Sequence, residues 1–291
     1  MKKSLPIILA LVLFICGCST VSLFYRNADW YLQHKIAGYT SFDVRQKETI
    51  RREISDYMRW HRRYALPEYI IFLQNLNGAV QYDGRLKTEE VALLRARLMD
   101  LYRISLAPAI RPAARILSSL DRRQIQELGR NLAEENEQQK QEELDLGHDG
   151  YLDKRADKTV DFLEGLAGDL SDEQEHRVRE MSRHLPLASR HFILHRETNQ
   201  AGLIKLLNDR AGTDRIASFM SSWILDPDAT RTVQQQQDIR AFEAATDEMI
   251  ARIQWMLTAA QKEHVHKKIS SYIDELQHLS TDMKTAGGAT R

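Results

Sequence analysis

Apolar residues recur three and four positions apart through almost the whole chain, with charged residues between them, and that spacing predicts one α-helix after another. A first helix begins with Leu23, Phe24, Ala28, Trp30 and Tyr31 and ends near Gly38. Asp43 opens a second over 46–64, with Ile50, Ile54, Tyr57, His61 and Tyr64 along one face. Leu66-Pro67 reads as its end and the start of another, because proline lacks the amide that a helix interior needs but suits a first turn. The next stripe, Tyr69, Ile70, Leu73 and Leu76, runs to a stop at Asp83-Gly84. Thr88 reads as the cap of a long segment carrying Val91, Leu94, Leu98 and Leu101, which Pro108 and Pro112 should kink or break before Ile116 and Leu117.

Further along, Ile125, Leu128 and Leu132 give way to a stretch over 134–143 that is polar all round and should project into water. Gly147-His148-Asp149-Gly150 is the best interior hinge. Val160, Leu163 and Leu166 stripe one helix, and Val178, Met181 and Leu185 the next, up to Leu185-Pro186. Helices over 192–207 and 216–225 follow, the second ending at Asp226-Pro227. Two long helices close the chain, one with Ile239, Phe242, Met249, Ile253 and Met256, the other with Val265, Ile269, Tyr272, Leu276 and Leu279. Their heptad-like spacing predicts antiparallel partners. Strand signals are essentially absent. The expected fold is all-α, an array or bundle of about nine to ten helices with mostly antiparallel neighbours.

Four helix starts share one signal: Asp43 with Gln46, Asp121 with Gln124, Ser171 with Gln174, and Thr258 with Gln261. In such a capping box the cap side chain accepts an amide hydrogen bond from the first turn, and the glutamine three residues on reaches back to the cap. The sites fall at unequal intervals, so no fixed-period solenoid is implied.

Composition narrows the class. The 41 basic and 41 acidic residues cancel, and a chain without net charge has no bulk field to select nucleic acid or membrane. The only cysteines are Cys16 and Cys18. Both lie at the end of an apolar run, Leu5 to Ile15, that follows Met1-Lys2-Lys3 and is too short to span a membrane as a stable helix. Ile15-Cys16-Gly17-Cys18 resembles the lipobox of bacterial lipoproteins, with an aliphatic residue three before the acylated cysteine and a small one just before it. The resemblance implies cleavage before Cys18 and lipid chains on it, several of which anchor a protein where one would not. Ser19 stands where inner-membrane retention in enterobacterial lipoproteins uses Asp, which implies the outer membrane, most simply on its periplasmic face. The expected organisation is a cleaved signal over 1–17, a lipidated tether over 18–22, helical halves over 23–147 and 148–281 packed together, and a disordered tail over 282–291.

Two further resemblances concern the domain itself. Leu257-Thr258-Ala259-Ala260-Gln261 is similar to the Leu-Thr-x-x-Gln motif of Spy-type periplasmic chaperones, small helical cradles, and the other three boxes match it in part. Asp29-Trp30 soon after the lipobox, Trp60-His61-Arg62, and Leu66-Pro67 followed by Tyr69 resemble a helical proteobacterial lipoprotein family without assigned function.

Candidate chemistry is sparse. Arg51, Arg52, Arg59, Arg62 and Arg63 crowd the helix bearing Trp60, and arginine suits phosphate and carboxylate groups. The same helix interleaves Glu48, Glu53 and Asp56, which favour local ion pairs. Trp60, Arg59, Arg62 and Arg63 are therefore the candidate binding residues, for an envelope protein or an anionic envelope polymer. His191 and His195 lie one helical turn apart, and His184, His264 and His266 complete the imidazole set, but no His-Glu-x-x-His spacing supports a metal site. Asp145, Asp149, Gly150 and Asp153 mimic part of a calcium loop that lacks its closing glutamate at Ala156. No nucleophile elbow, P-loop or dinucleotide fingerprint appears, and no cofactor is implied. The function expected is a non-catalytic binding or scaffolding module on the outer membrane, with a chaperone-like cradle as the alternative.

Overall fold

The computed structural model describes residues 25–81 and 85–286, and all regular structure among them is helical. The helices are α1 (Ala28–Ala37), α2 (Val44–Trp60), α3 (Leu66–Gln81), α4 (Thr88–Ser118), α5 (Arg122–Ala167), α6 (Asp172–His184), α7 (Ser189–Asn208), α8 (Thr213–Leu225), α9 (Val233–Met256) and α10 (Ala259–Ala286). A π-helical turn (His61–Ala65) joins α2 to α3, and a 3₁₀ turn (Pro227–Thr230) lies between α8 and α9.

Antiparallel neighbours dominate, each fixed by ion pairs or amides across the seam. Arg111 meets Asp214 at 2.9 Å, and Arg103 donates to the Leu225 carbonyl at 3.1 Å, so α8 runs back along α4. Asp153 and Asp157 of α5 pair with Arg183 and Arg179 of α6. Asn136 and Lys140 of α5 meet Gln200 and Glu197 of α7. The polar stretch over 134–143 thus lies along α7 instead of projecting freely. Arg95 of α4 forks onto both oxygens of Asp247 in α9 (2.9 and 3.1 Å) and reaches Glu243 at 3.0 Å; the Asp247 side chain is 3% exposed. One hydrophobic cluster runs from Tyr25 to Leu279 and draws on both halves of the chain.

The last two helices do not pair with each other as their spacing predicted. The stripe of α10, Val265, Ile269, Tyr272, Ile273 and Leu276, is buried mainly against α3, while α9 packs on α4 and α6. Heptad-like spacing specifies an apolar face, not the helix that covers it. α10 also continues to Ala286, past the point where the sequence suggested a tail.

Prolines and glycines act differently from their sequence readings. Pro67 does not end a helix. It has no N–H for the Arg63 carbonyl, and the backbone answers by widening: the Leu66 N–H donates to the His61 carbonyl five residues back, and α2 passes into α3 through the π turn. The extra residue rotates the face, so Ala65 (0%) and Leu66 (1%) are buried while Tyr64, on the expected stripe, is 53% exposed. Pro108 and Pro112 likewise sit inside a continuous α4. The carbonyls they leave unbonded, those of Ile104 and Pro108, belong to exposed residues that water can reach. The interruption predicted around Gly147 does occur: Gly147 takes φ 63°, a left-handed conformation that glycine adopts without a Cβ penalty, and it divides α5 into two rods.

Capping boxes form at all four expected starts, and a fifth joins Thr232 to Gln235 at α9. At α4 the cap is Lys87 instead of Thr88, and only the reciprocal half is made, Glu90 accepting from the Lys87 N–H at 2.8 Å. The four glutamine boxes then interlock two by two. The Nε2 of Gln46 donates to the Oε1 of Gln124 (3.1 Å) and to the Ser119 carbonyl (3.1 Å), while that of Gln124 donates to the Oε1 of Gln46 (2.7 Å) and to the Ser41 carbonyl (2.9 Å). Gln174 and Gln261 repeat the plan: each donates to the other's Oε1 (2.9 and 3.0 Å) and to the carbonyl two residues before the other's cap, Met256 and Asp169.

Candidate functional site

The densest cluster of polar and aromatic side chains surrounds the π turn. His61 stands at its start, carried inward by the stripe of Ile50, Ile54 and Tyr57, and three other segments converge on it. Tyr25, just before α1, places its hydroxyl 3.0 Å from Nδ1, and Tyr69 of α3 places its own 3.4 Å from Nε2. Ser105 of α4 bonds the Tyr69 hydroxyl, and its carbonyl accepts from Tyr57 at 3.1 Å.

The proton directions follow from the end of the chain. Ser105 Oγ–H donates to the Leu101 carbonyl at 2.8 Å, so Tyr69 must donate to Ser105 and accept from His61 Nε2–H. Nδ1 is then the bare nitrogen that accepts from Tyr25. Burial, with the Arg62 charge second, pushes the His61 pKa down to about 4, so the ring is neutral near pH 7, as this arrangement requires. Burial also raises the Tyr25 phenol to about 12 and those of Tyr57 and Tyr69 above their ordinary value. Both ring nitrogens are committed. The network fixes the π turn and holds the segment before α1 against α2.

The candidate binding residues sit on this turn in different settings. Arg59 pairs with Asp56 and donates to Ser55 at 3.0 Å, a local surface pair. Arg62 lays its guanidinium 5.3 Å over the Tyr25 ring, with Nε buried and unbonded. Arg63 is exposed and stacks 5.3 Å over the ring of exposed Tyr64. Trp60 is half-buried, with its ring 6.0 Å from Tyr57 and 6.2 Å from Tyr64. Cys18, the tether and the signal stretch lie outside the described residues. Tyr25, Tyr69 and Ser105 were not singled out as a site; the Leu66-Pro67-x-Tyr69 pattern was the visible trace of one of them.

Elsewhere, α5 and α7 flank an open groove of about 620 Å³. Leu132, Ala133, Ala201 and Ile204 supply its apolar surface, and Lys140 bridges Glu137 (3.1 Å) and Glu197 (2.9 Å) along it. Beneath runs an amide chain: Arg196 donates to Asn136 at 2.8 Å, and Asn136 donates to Gln200 at 2.6 Å. The histidines weighed as ligands have separate partners, His184 the Glu180 carbonyl, His191 Asp238, His195 Thr230 and His266 Asn77. Among the described residues no group of three or more His, Cys, Asp or Glu side chains is arranged to hold a metal ion. Asp149 and Asp153 lie on helix and pair with Arg183, so they form no calcium loop.

The model of a family of unknown function, DUF6279, matches residues 38–224. The chain belongs to that family. The match begins at the α1–α2 turn and ends at α8, so it contains the π turn, three of the four interlocked glutamines and the α5–α7 groove, while α9 and α10 lie beyond it. Membership therefore groups this chain with relatives and assigns it no chemistry. No curated protein and no solved structure matches the chain. No helix of the described residues is long and apolar enough to cross a membrane.

Proposed function

We propose that this DUF6279 chain is a periplasmic lipoprotein anchored in the outer membrane through Cys18, and that its helical domain is a non-catalytic binding or scaffolding module of the cell envelope. The observation that carries the reading is the lipobox spacing of Ile15, Gly17 and Cys18 only seven positions before Tyr25, the first described residue. Several acyl chains on one residue give stable membrane residence without a spanning helix. The binding role is supported by the open α5–α7 groove and by Trp60 and the arginines at the π turn, since tryptophan and arginine often dominate interface energetics. The test is Cys18→Ala in cells. Fatty-acid labelling and recovery in the outer-membrane fraction should both be lost, and label that persists in the variant overturns the anchor.

A chaperone-like cradle is the second reading, favoured by the likeness of the boxes to Leu-Thr-x-x-Gln motifs and by exposed Leu144, Leu187 and Leu194. It calls for suppression of client aggregation at substoichiometric amounts in vitro. A chain that leaves aggregation unchanged at equimolar amounts removes this reading and leaves the first standing.

A further inference from the structure

We propose that the end of the α1–α2 hairpin bearing Trp30, Trp60, Arg63 and Tyr64 docks on the bilayer as an interfacial contact with anionic phospholipid, so that the anchor and this surface hold the domain together. The proposal rests on Cys18 as the acylated residue and gives the proposed binding surface its partner.

The reach of the tether is the first argument. Tyr25 stands seven positions after Cys18, and even fully extended those seven steps span no more than about 25 Å. Tyr25 is not loose: its hydroxyl is 3.0 Å from His61 Nδ1 and Arg62 lies over its ring, so the first described residue sits beside the π turn. The anchor thus keeps the surface around the π turn near the headgroups.

The chemistry of this surface is the second argument. Trp30 is 66% exposed and Tyr64 is 53% exposed, unusual for large rings in a domain with a continuous core. Trp30 is preorganised by stacking on His34 at 5.3 Å with the planes 7° apart, and Tyr64 by the Arg63 guanidinium. Tryptophan and tyrosine favour the membrane–water interface, where an apolar ring and a polar edge are satisfied together. Exposed Arg26 and Arg63 add charge for anionic headgroups, while nearby Glu68 is engaged by Arg97 at 2.7 Å.

An internal control exists. Trp255 is 49% exposed, with an Arg85 guanidinium 5.7 Å over its ring, and so has the same composition. It donates to the Leu86 carbonyl beyond the far end of α3, whose 16 residues set it about 24 Å along that helix from the π turn.

The experiment uses the full mature chain in two forms, one retaining only Trp30 and one only Trp255, the other tryptophans being replaced by Phe. Each is reconstituted into vesicles of phosphatidylethanolamine and phosphatidylglycerol with brominated acyl chains. Trp30 should be quenched roughly twofold more than Trp255, as expected for a ring at the interface. Arg26→Glu with Arg63→Glu should reduce that quenching while the circular-dichroism spectrum is kept. Equal quenching of the two tryptophans, in a chain that carries its fatty-acid label and floats with the vesicles, overturns the docking and leaves the anchor intact. A chain without label overturns the anchor instead. In that chain docking is still decided by whether added vesicles quench Trp30 above Trp255.

Discussion

The two interlocked pairs of helix starts follow one hydrogen-bonding plan in different surroundings. Gln46 and Gln124 are 9% and 3% exposed, whereas Gln174 and Gln261 are half-buried. The first pair uses Asp43 and Asp121 as caps, the second Ser171 and Thr258. The first is also braced from outside: Thr40 Oγ1 donates to the Gln124 carbonyl at 3.1 Å and to the Glu127 carboxylate at 3.0 Å, and the Ser41 N–H donates to that carboxylate at 2.8 Å. The comparison teaches that a capping box, which alone stabilises a helix locally, becomes a tertiary clamp once its glutamine is buried against another. How strong the clamp is depends on how completely water is kept out.

The sharpest way to break this comparison is Gln124→Ala. It removes the Gln124 partner of the buried Gln46 amide, leaves the Ser41 carbonyl without its donor and opens the cap at Asp121, so it should cost roughly 3 kcal/mol. Chemical denaturation reads the loss directly. Gln261→Ala should cost less, roughly 1 to 2 kcal/mol, because water reaches the half-buried Gln174 amide and replaces part of what is removed. A double-mutant cycle within each pair sharpens the point: coupling should be larger for Gln46 with Gln124 than for Gln174 with Gln261. Equal couplings would mean that burial does not set the strength of the clamp.

The caps were legible in the sequence because a box is written in four consecutive residues. Their interlocking was not, since the partners stand 78 and 87 residues apart and nothing local says which glutamine meets which. The fifth box, Thr232 with Gln235, escaped because Arg231 precedes it, where the other glutamine boxes have Phe42, Leu120, Leu170 and Leu257. Proline misled for a related reason. The sequence shows that Pro67 cannot donate, but whether the chain stops or widens depends on packing, and here buried Ala65, Leu66 and Ile70 carry the core straight through the π turn. At the site, His61 was visible as a core-facing position. Tyr25, Tyr69 and Ser105 were not visible as its partners, because three separate segments bring them there. The apolar stripes of α9 and α10 were both found, but their partners were misassigned, since adjacency in sequence was weaker than the apolar faces offered by α3 and α4.

The smallest expected effect is the most discriminating, because it concerns charge, and the first pair is held by a carboxylate at 2.8 and 3.0 Å where the second has only the Glu164 contact to the Leu170 N–H at 3.4 Å. Glu127 is held below its ordinary value of 4.5, first by the Ser41 backbone N–H and then by Thr40, with Arg123 adding attraction. A carboxylate whose folded pKa is depressed binds fewer protons folded than unfolded. Its contribution is therefore complete above pH 4.5 and fades as the pH falls through the folded value. The melting temperature should accordingly fall more between about pH 5 and pH 3 in the parent than in Glu127→Gln, because the amide does not titrate. The difference between the two chains isolates this group from other carboxylates that titrate in the same window. Hydrogen exchange locates the effect: at acid pH the Ser41 amide should lose protection in the parent, while the side-chain amides of Gln174 and Gln261, clamped under uncharged caps, should keep theirs. Parallel pH profiles for parent and variant would mean that the Glu127 brace is incidental, and that burial alone separates the two pairs.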